Sequence, residues 1–572
     1  MSRIDWLVLV SSLLFIVVYG LWKGRRSKDL DGYILADRNH RWYTVALSIM
    51  ATQASAITFL STPGQAYTDG MRFVQFYFGL PIAMVILSIT FVPIFHRLKV
   101  YTAYEFLEQR FDLKTRTLAS VLFLIQRGLG AGFTIYAPAL ILSVILGWNI
   151  HRTIVVIGAL VILYTASGGT KAVNHTNFQQ MLIILAGMVG AFVVVIASLP
   201  KGVGMLDATY VAGKLGRLNA IDFSFDPSNR YNFWSGLIGG CFLALSYFGT
   251  DQSQVGRYLA GQSIAQSRLG LLFNGMVKIP MQFFILFVGA MVFAFYQFIT
   301  PPLFFNPVET DAVRTSTRGA EFHAIEERFR RAAAERKERA LALVSAMRSD
   351  DDRAIAMAEE ELERANETTA AIRGQAIDLM KANRPKADPN DTNYVFLTFV
   401  MHHLPVGLIG LVMAAVFAAS MSSTSSELNA LSSTTVVDIY KRMVTTAGSD
   451  KHYVLFSKLA TVGWGVVAIL FANFANRLGS LVEAVNLVGS IFYGTILGIF
   501  LVAFYCKRVG GTATFIAGLV ALSIVVWFYF FTTVAFLWYN LIGCVVVIVV
   551  AIAINGLVGR DQPLTPDPSP RA

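Results

Sequence analysis

Charge is what this chain has little of. Only 15% of its 572 residues are Asp, Glu, Lys or Arg, where a soluble globular protein carries roughly a quarter. That shortage excludes an ordinary water-facing surface. Cysteine is scarce as well: Cys241, Cys506 and Cys544 all lie in or beside apolar runs. Three thiols cannot frame a disulfide-stapled fold, and no CxxC or Cys/His spacing offers a metal site. Short alternation of apolar and polar residues is missing, which disfavours a membrane β-barrel. No His/Cys/carboxylate cluster or nucleophile–base pair stands out, so the chain does not read as an enzyme.

What fills the sequence is apolar residues, 55% of the total. The first run, Ile4–Trp22, is followed at once by Lys23, Arg25, Arg26 and Lys28. A cleaved signal peptide has its positive charge before the apolar run, so this one is a retained helix. Further runs of membrane-crossing character lie at about 43–67, 73–95, 117–147, 151–167, 178–199, 232–250, 268–299, 394–427, 454–472, 478–505, 512–531 and 535–556. That predicts an all-α polytopic membrane protein of about thirteen spans. Alternation from an outside N-terminus puts the basic clusters inside: Lys23–Arg41, Arg97 to Arg116, Lys171, Arg257/Arg268, Lys441 to Lys451, and Lys507/Arg508. The positive-inside rule asks for this placement. The net charge of +11 is then topogenic, and no nucleic-acid role is expected. The location read from this is the plasma (bacterial inner) membrane, embedded in lipid, with a disordered proline-rich tail, 557–572, inside.

One stretch departs from the rest. Thr315 to Pro385 is rich in Ala, Glu and Arg, and Ser349–Asp352 resembles the N-cap of a second helix. The pattern predicts a solvated helical hairpin outside the membrane, laced by i,i+4 Glu–Arg pairs. Acids and bases interleave, so the hairpin has no one-signed face for nucleic acid. A partner for it is open.

The segment around which the chain is organised is VMAAVFAASMSSTSSELN, 412–429. On a helix Ala419, Ser422, Ser423 and Ser426 share one face. Small residues of this kind suit a close helix–helix contact. Neutral hydroxyl oxygens equally suit a hard monovalent cation such as sodium. Buried charges are few. Lys278, about ten residues into the span 268–299, has to face a polar cavity or a carboxylate. Arg127 could hold a carboxylate with its planar fork, or pair with Glu483 or helix-end carbonyls. Asp251 reads as a structural brace.

Several motifs in order resemble one family: FVPIFHRLKVYTAYEFLEQRF (91–111), IYAPALIL (135–142), GGTKAVNHTNFQQ (168–180), YFGTDQSQVGRYLAG (247–261) and AASMSSTSSELNALSSTTVVDIYKR (418–442). They resemble the sodium:solute symporters, which include the sodium–glucose, sodium–iodide and sodium–monocarboxylate/vitamin carriers. The resemblance implies a LeuT-type inverted repeat of five plus five helices, with broken helices meeting at the midplane. On it, residues 1–42 are an extra helix and cytoplasmic loop, and 43–505 the transport core interrupted by the hairpin at 310–390. Two added helices follow at 506–556.

The resemblance also implies a sodium site from the carbonyls of Ala51, Ala54 and Ala419 and the hydroxyls of Ser422 and Ser423. Asn177 stands where some members have the aspartate of a second sodium site, which argues for one sodium per solute. For the solute it points to Gln53, Thr58, Tyr77, Lys278 and Asn486, with Tyr247 as the inner lid. The expected activity is sodium-coupled import of a small polar organic solute, a sugar first, with an organic-anion symporter as the alternative. A transporter-fold sensor or scaffold acting through the hairpin is the rival from another class. Tyr77 replaces a sugar-binding carboxylate, and 135–142 with Pro63–Gly70 sits closer to the iodide/monocarboxylate/vitamin branch.

Overall fold

In hydrocarbon every backbone N–H and C=O must be paired within the protein, and helices do this locally. The computed structural model describes residues 1–24, 40–349, 351–385, 387–445, 448–475 and 480–558, with side chains left out at 20–24, 167–178 and 558. Asn177 and the C-terminal tail therefore lie outside the described residues or side chains. Among the described residues the regular structure is helical, apart from one bridge pairing His40 with Gly261.

In chain order the helices are α1 (Arg3–Gly24), α2 (Trp42–Gln53), α3 (Ala56–Asp69), α4 (Leu80–Ile89), α5 (Phe91–Leu98), α6 (Glu105–Arg110), α7 (Leu113–Leu146) and α8 (Ile150–Ala197). Then come α9 (Met205–Lys214), α10 (Gly240–Gly249), α11 (Gln252–Leu259), α12 (Ile264–Phe298), α13 (Pro307–Arg314), α14 (Gly319–Ser349) and α15 (Asp352–Asn383). The last six are α16 (Thr392–His403), α17 (Leu408–Thr434), α18 (Asp450–Ala472), α19 (Leu481–Tyr505), α20 (Gly511–Phe531) and α21 (Phe536–Val558). Among the described residues nine segments are long and apolar enough to cross a membrane.

Two helices are broken in the middle. α2 and α3 are halves of one rod interrupted at Ala54–Ser55, and α10 and α11 are halves of another interrupted at Thr250–Asp251. The two rods run in opposite senses. His40, just before α2, donates its N–H to Ala260 O at 3.0 Å and accepts from Gln262 N at 3.1 Å, just after α11. The start of one rod therefore meets the end of the other, as an inverted repeat demands.

α8 is a single helical element of 48 residues, yet both ends sit at one face. His151 contacts Asn473 at the end of α18, while a Cβ at Gly190 would meet Leu408 at the start of α17. Its arms, 150–166 and 179–197, thus run in opposite senses.

Close approach holds α3 in place. A Cβ on Gly64 would lie 2.0 Å from Thr392 O, and one on Gly289 would lie 2.2 Å from Pro63 O. Only glycine permits these contacts, so α3 is wedged between α16 and α12. α14 and α15 form the expected hairpin, and Asp351 caps α15 by accepting from Arg353 N and Ala354 N. Arg364–Glu360 and Arg339–Glu335 are its i,i+4 pairs. It is not wholly solvated: Phe322, Ile325, Phe329, Ile372 and Met380 pack into a second core with Leu303 and Phe304. Buried Arg336 donates to Tyr296 O at 2.7 Å.

Candidate functional site

The broken rod leaves carbonyls without helical donors. Ser55 N–H turns to Gln53 O at 3.1 Å instead of continuing the ladder to Ala51. The serine face of α17 supplies the missing donors. Ser422 Oγ donates to Ala51 O and Ser423 Oγ to Thr52 O, each at 3.1 Å. Thr52 Oγ1 and Ser426 Oγ lie 3.1 Å apart. Ala51, Ser422 and Ser423 are therefore brought together, and Thr52 joins them. Ala54 and Ala419 are fully buried.

Beside these serines lies a cavity of about 110 Å³. Gln53, Thr58, Tyr77, Tyr247 and Asn486 all line it, together with Arg127, Glu427 and Tyr493. Gln53 Oε1 is buried with no hydrogen-bond partner, so it is an acceptor waiting for a donor. Asn486 Nδ2 donates to Val482 O at 2.6 Å, and Tyr247 OH accepts from Gln254 at 2.6 Å.

Lys278 has neither a carboxylate nor a place on the cavity wall. It is 1% exposed and, among the described residues, its ammonium has no hydrogen-bond partner. Its one close neighbour of note is the ring of Tyr77, 5.4 Å from Nζ, a cation–π contact. Tyr77 in turn lines the cavity, so the charge stands directly behind the wall. Two turns of α12 continue the stripe, with Asn274 and Gln282 also buried and holding unpartnered polar atoms.

Arg127 differs from the pairing suggested by sequence. It does not meet Glu483. It binds Asp251, donates to Glu427 Oε1 at 3.0 Å and donates to Tyr493 OH at 2.6 Å. Glu427 also accepts from Thr134 Oγ1 at 2.8 Å. One guanidinium facing two carboxylates leaves the cluster with a formal charge of −1, so Arg127 is no free anion receptor. Asp251 additionally caps α11 by accepting from Ser253 N, the bracing role expected of it. Glu427 and Tyr493 escaped the sequence reading. Glu427 stands four residues beyond Ser423, on the same helical face, which was the available signal.

Glu483 works at one rim of the core. It accepts from Arg230 at 2.7 Å and from Tyr231 OH at 3.1 Å. Nearby, Ser480 Oγ donates to Gln65 at 2.9 Å and lies 3.2 Å from Ser61 Oγ, closing the start of α19 against α3. At the opposite face Arg116 bridges Asp438 and Glu108, both at 2.7 Å, and Arg442 also binds Glu108. Burial pushes the Glu108 carboxyl up, but hydrogen bonds from Arg442 and Arg116 outweigh it and hold the group below the usual carboxylate range. Polar latches therefore stand at both faces of the core.

Comparison with known proteins agrees with this geometry. The family model "Sodium:solute symporter family" matches residues 33–326 and 376–521. A putative sodium-dependent multivitamin transporter of Drosophila melanogaster is 26% identical over 533 residues, spanning 91% of this chain and 74% of its own. Sodium-coupled monocarboxylate transporter 1 of Xenopus laevis is 26% identical over 91% of this chain and 71% of its own. The human sodium/iodide cotransporter is 33% identical over 52% of this chain and 46% of its own. Among solved structures, a Na⁺-coupled sialic acid symporter in a substrate-bound outward-open state superposes with a TM-score of 0.75. It is 22% identical and covers 98% of this chain and 100% of its own. The fold is thus the LeuT-type arrangement, Na⁺ is the coupling ion, and the chain belongs to the sodium:solute symporter family.

Proposed function

We propose that this protein couples inward sodium flow to import of a small organic anion, a short monocarboxylate, by alternating access around the cavity at the two helix breaks. The observation that carries the anion reading is Lys278: a buried ammonium with no carboxylate, one ring behind the cavity wall. A charge left unpaired in the bilayer costs several kcal/mol, so a ligand that supplies the counter-charge binds where a neutral solute would not. The relatives named for monocarboxylates and iodide carry anions, which favours this reading over a sugar. The cavity of about 110 Å³ has room for several waters, and so for a solute of similar bulk.

In this reading Tyr77 swings aside to let the carboxylate reach Lys278, and Gln53, Thr58 and Asn486 hold the solute's other polar atoms. Tyr247 closes the inner side. Sodium sits between α2 and α17. Oxygens that each lie about 2.4 Å from one cation are roughly 3–3.5 Å from each other. The 3.1 Å spacings of Ser422–Ala51 and Ser423–Thr52 already match, and only the hydroxyl hydrogens need to turn away. Ala54 O and Ala419 O complete the shell. Ion binding ties the two repeats together, and its release on the inner side lets the solute go. No covalent step is involved.

The test is uptake by the purified protein in proteoliposomes, with a panel of short monocarboxylates, iodide, carboxylated vitamins and neutral sugars, each with and without a sodium gradient. Accumulation of a monocarboxylate only with sodium supports the proposal. Accumulation of a neutral sugar, with the carboxylates excluded, would overturn the anion reading.

A further inference from the structure

The face opposite the hairpin carries a second cavity that the transport cycle does not use. It is a cleft of about 530 Å³ between α4/α5 of the first repeat and α12 and α19 of the second, floored by α6. Its chemistry is one-sided. Arg97, Arg110, Arg268 and Lys507 line it, and among the described residues no acidic side chain does. Its remaining walls are apolar and aromatic, chiefly Phe106 and Phe504. Arg268 is held by donating to Ser88 O at 2.7 Å, and Arg110 by donating to the carbonyl of Lys507 at 2.9 Å. Arg97 and Lys507 are exposed. At the membrane-facing rim Ile89 is 65% and Tyr505 61% exposed, so the cleft opens sideways as well as towards water.

Topogenic charge alone explains basic residues at a helix end. It does not explain why four of them converge on one cleft whose other described lining is largely apolar. That combination demands a ligand with an anionic head and a hydrocarbon tail. We infer that this cleft binds an anionic phospholipid of the cytoplasmic leaflet, its phosphodiester among Arg97, Arg110, Arg268 and Lys507 and one acyl chain along Phe106 and Phe504. Because both repeats supply walls, the bound lipid bridges parts that move relative to one another during alternating access. The inference stands apart from the identity of the solute.

The experiment is native mass spectrometry of the purified full chain in detergent, with phosphatidylglycerol, phosphatidylcholine of matched chains, or soluble glycerol phosphate. Each arginine near an anionic headgroup adds on the order of a fivefold preference, so the wild type retains phosphatidylglycerol at least about tenfold better than phosphatidylcholine. Arg97→Gln/Arg268→Gln removes most of that preference. Ile94→Trp, which keeps every charge but fills the apolar groove, lowers retention of the lipid. Lys451→Gln/Lys458→Gln, equally basic positions away from the cleft, leaves binding unchanged. Equal retention of the two lipids by the wild type overturns the inference, and so does wild-type binding by both cleft variants. Displacement of the lipid by glycerol phosphate at equal concentration also overturns it, because the site would then read the phosphate alone.

Discussion

The transport core and the hairpin are built by opposite rules. In the core, helices break, carbonyls lose their ladder partners and charges sit in hydrocarbon: Arg127, Asp251, Glu427 and Lys278 are all at most 5% exposed. In the hairpin, two helices of 31 and 32 residues run unbroken, and charges pair across water-facing surfaces. The family model skips residues 327–375, the body of that hairpin. Irregular backbone and buried charge cost free energy and persist where function requires them. Regular, ion-paired helices cost little. The contrast locates the irregular backbone and the buried charge in the core.

The contrast breaks first at Arg127. Arg127→Met leaves Asp251 and Glu427 buried without their cation, a loss of about 3–5 kcal/mol. The variant is expected to aggregate on size-exclusion chromatography in detergent, whereas Arg339→Met, which loses an exposed pair with Glu361 at 2.9 Å, elutes as the wild type. Next comes Lys278→Met, which keeps the volume and removes the charge. The carboxylate loses a charge-assisted bond worth about 1.5–3 kcal/mol, so the KM for the anion rises roughly ten- to a hundredfold while the protein stays folded and sodium still binds. An unchanged KM would place the anion elsewhere.

The third comparison deletes the hairpin. Replacing 319–383 by a short Gly/Ser linker exposes Leu303 and Phe304 and frees Tyr296 O, so thermal stability falls. Sodium-driven uptake is expected to persist. Its complete loss would give the hairpin a working role.

The smallest effect is a pH one. Burial pushes the Asp388 carboxyl, in the loop after α15, up to about 6. A carboxyl with a raised pKa favours its neutral form when folded, so its contribution is present at low pH and is lost as pH rises through about 6. Asp388→Asn should therefore melt slightly higher than wild type at pH 8 and no differently at pH 4, followed by a dye-based thermal shift. A variant less stable than wild type at pH 8 would contradict the assignment.

Much of this was legible in the chain. The apolar runs gave the helices, the interleaved Glu and Arg gave the hairpin, and the spacing of Ala419, Ser422 and Ser423 put hydroxyls on one face. The pairing of charges was not legible. Arg127 meets partners 124 and 300 residues away, and periodicity carries no information over such separations. Nor could the sequence show that Thr52 O faces Ser423, since that depends on where the helix unwinds. Lys278 was recognisable as buried and costly, but that its neighbour is a ring and not a carboxylate follows only from how α12 packs against residues 70–77.

The central claim is that two hydroxyls and the carbonyls freed by a broken helix hold the ion whose descent drives transport. The direct measurement is initial uptake against sodium concentration in proteoliposomes for wild type and Ser422→Ala/Ser423→Ala. The account predicts that the variant, still folded and still binding solute, loses sodium stimulation. Sodium dependence identical to that of the wild type would contradict it.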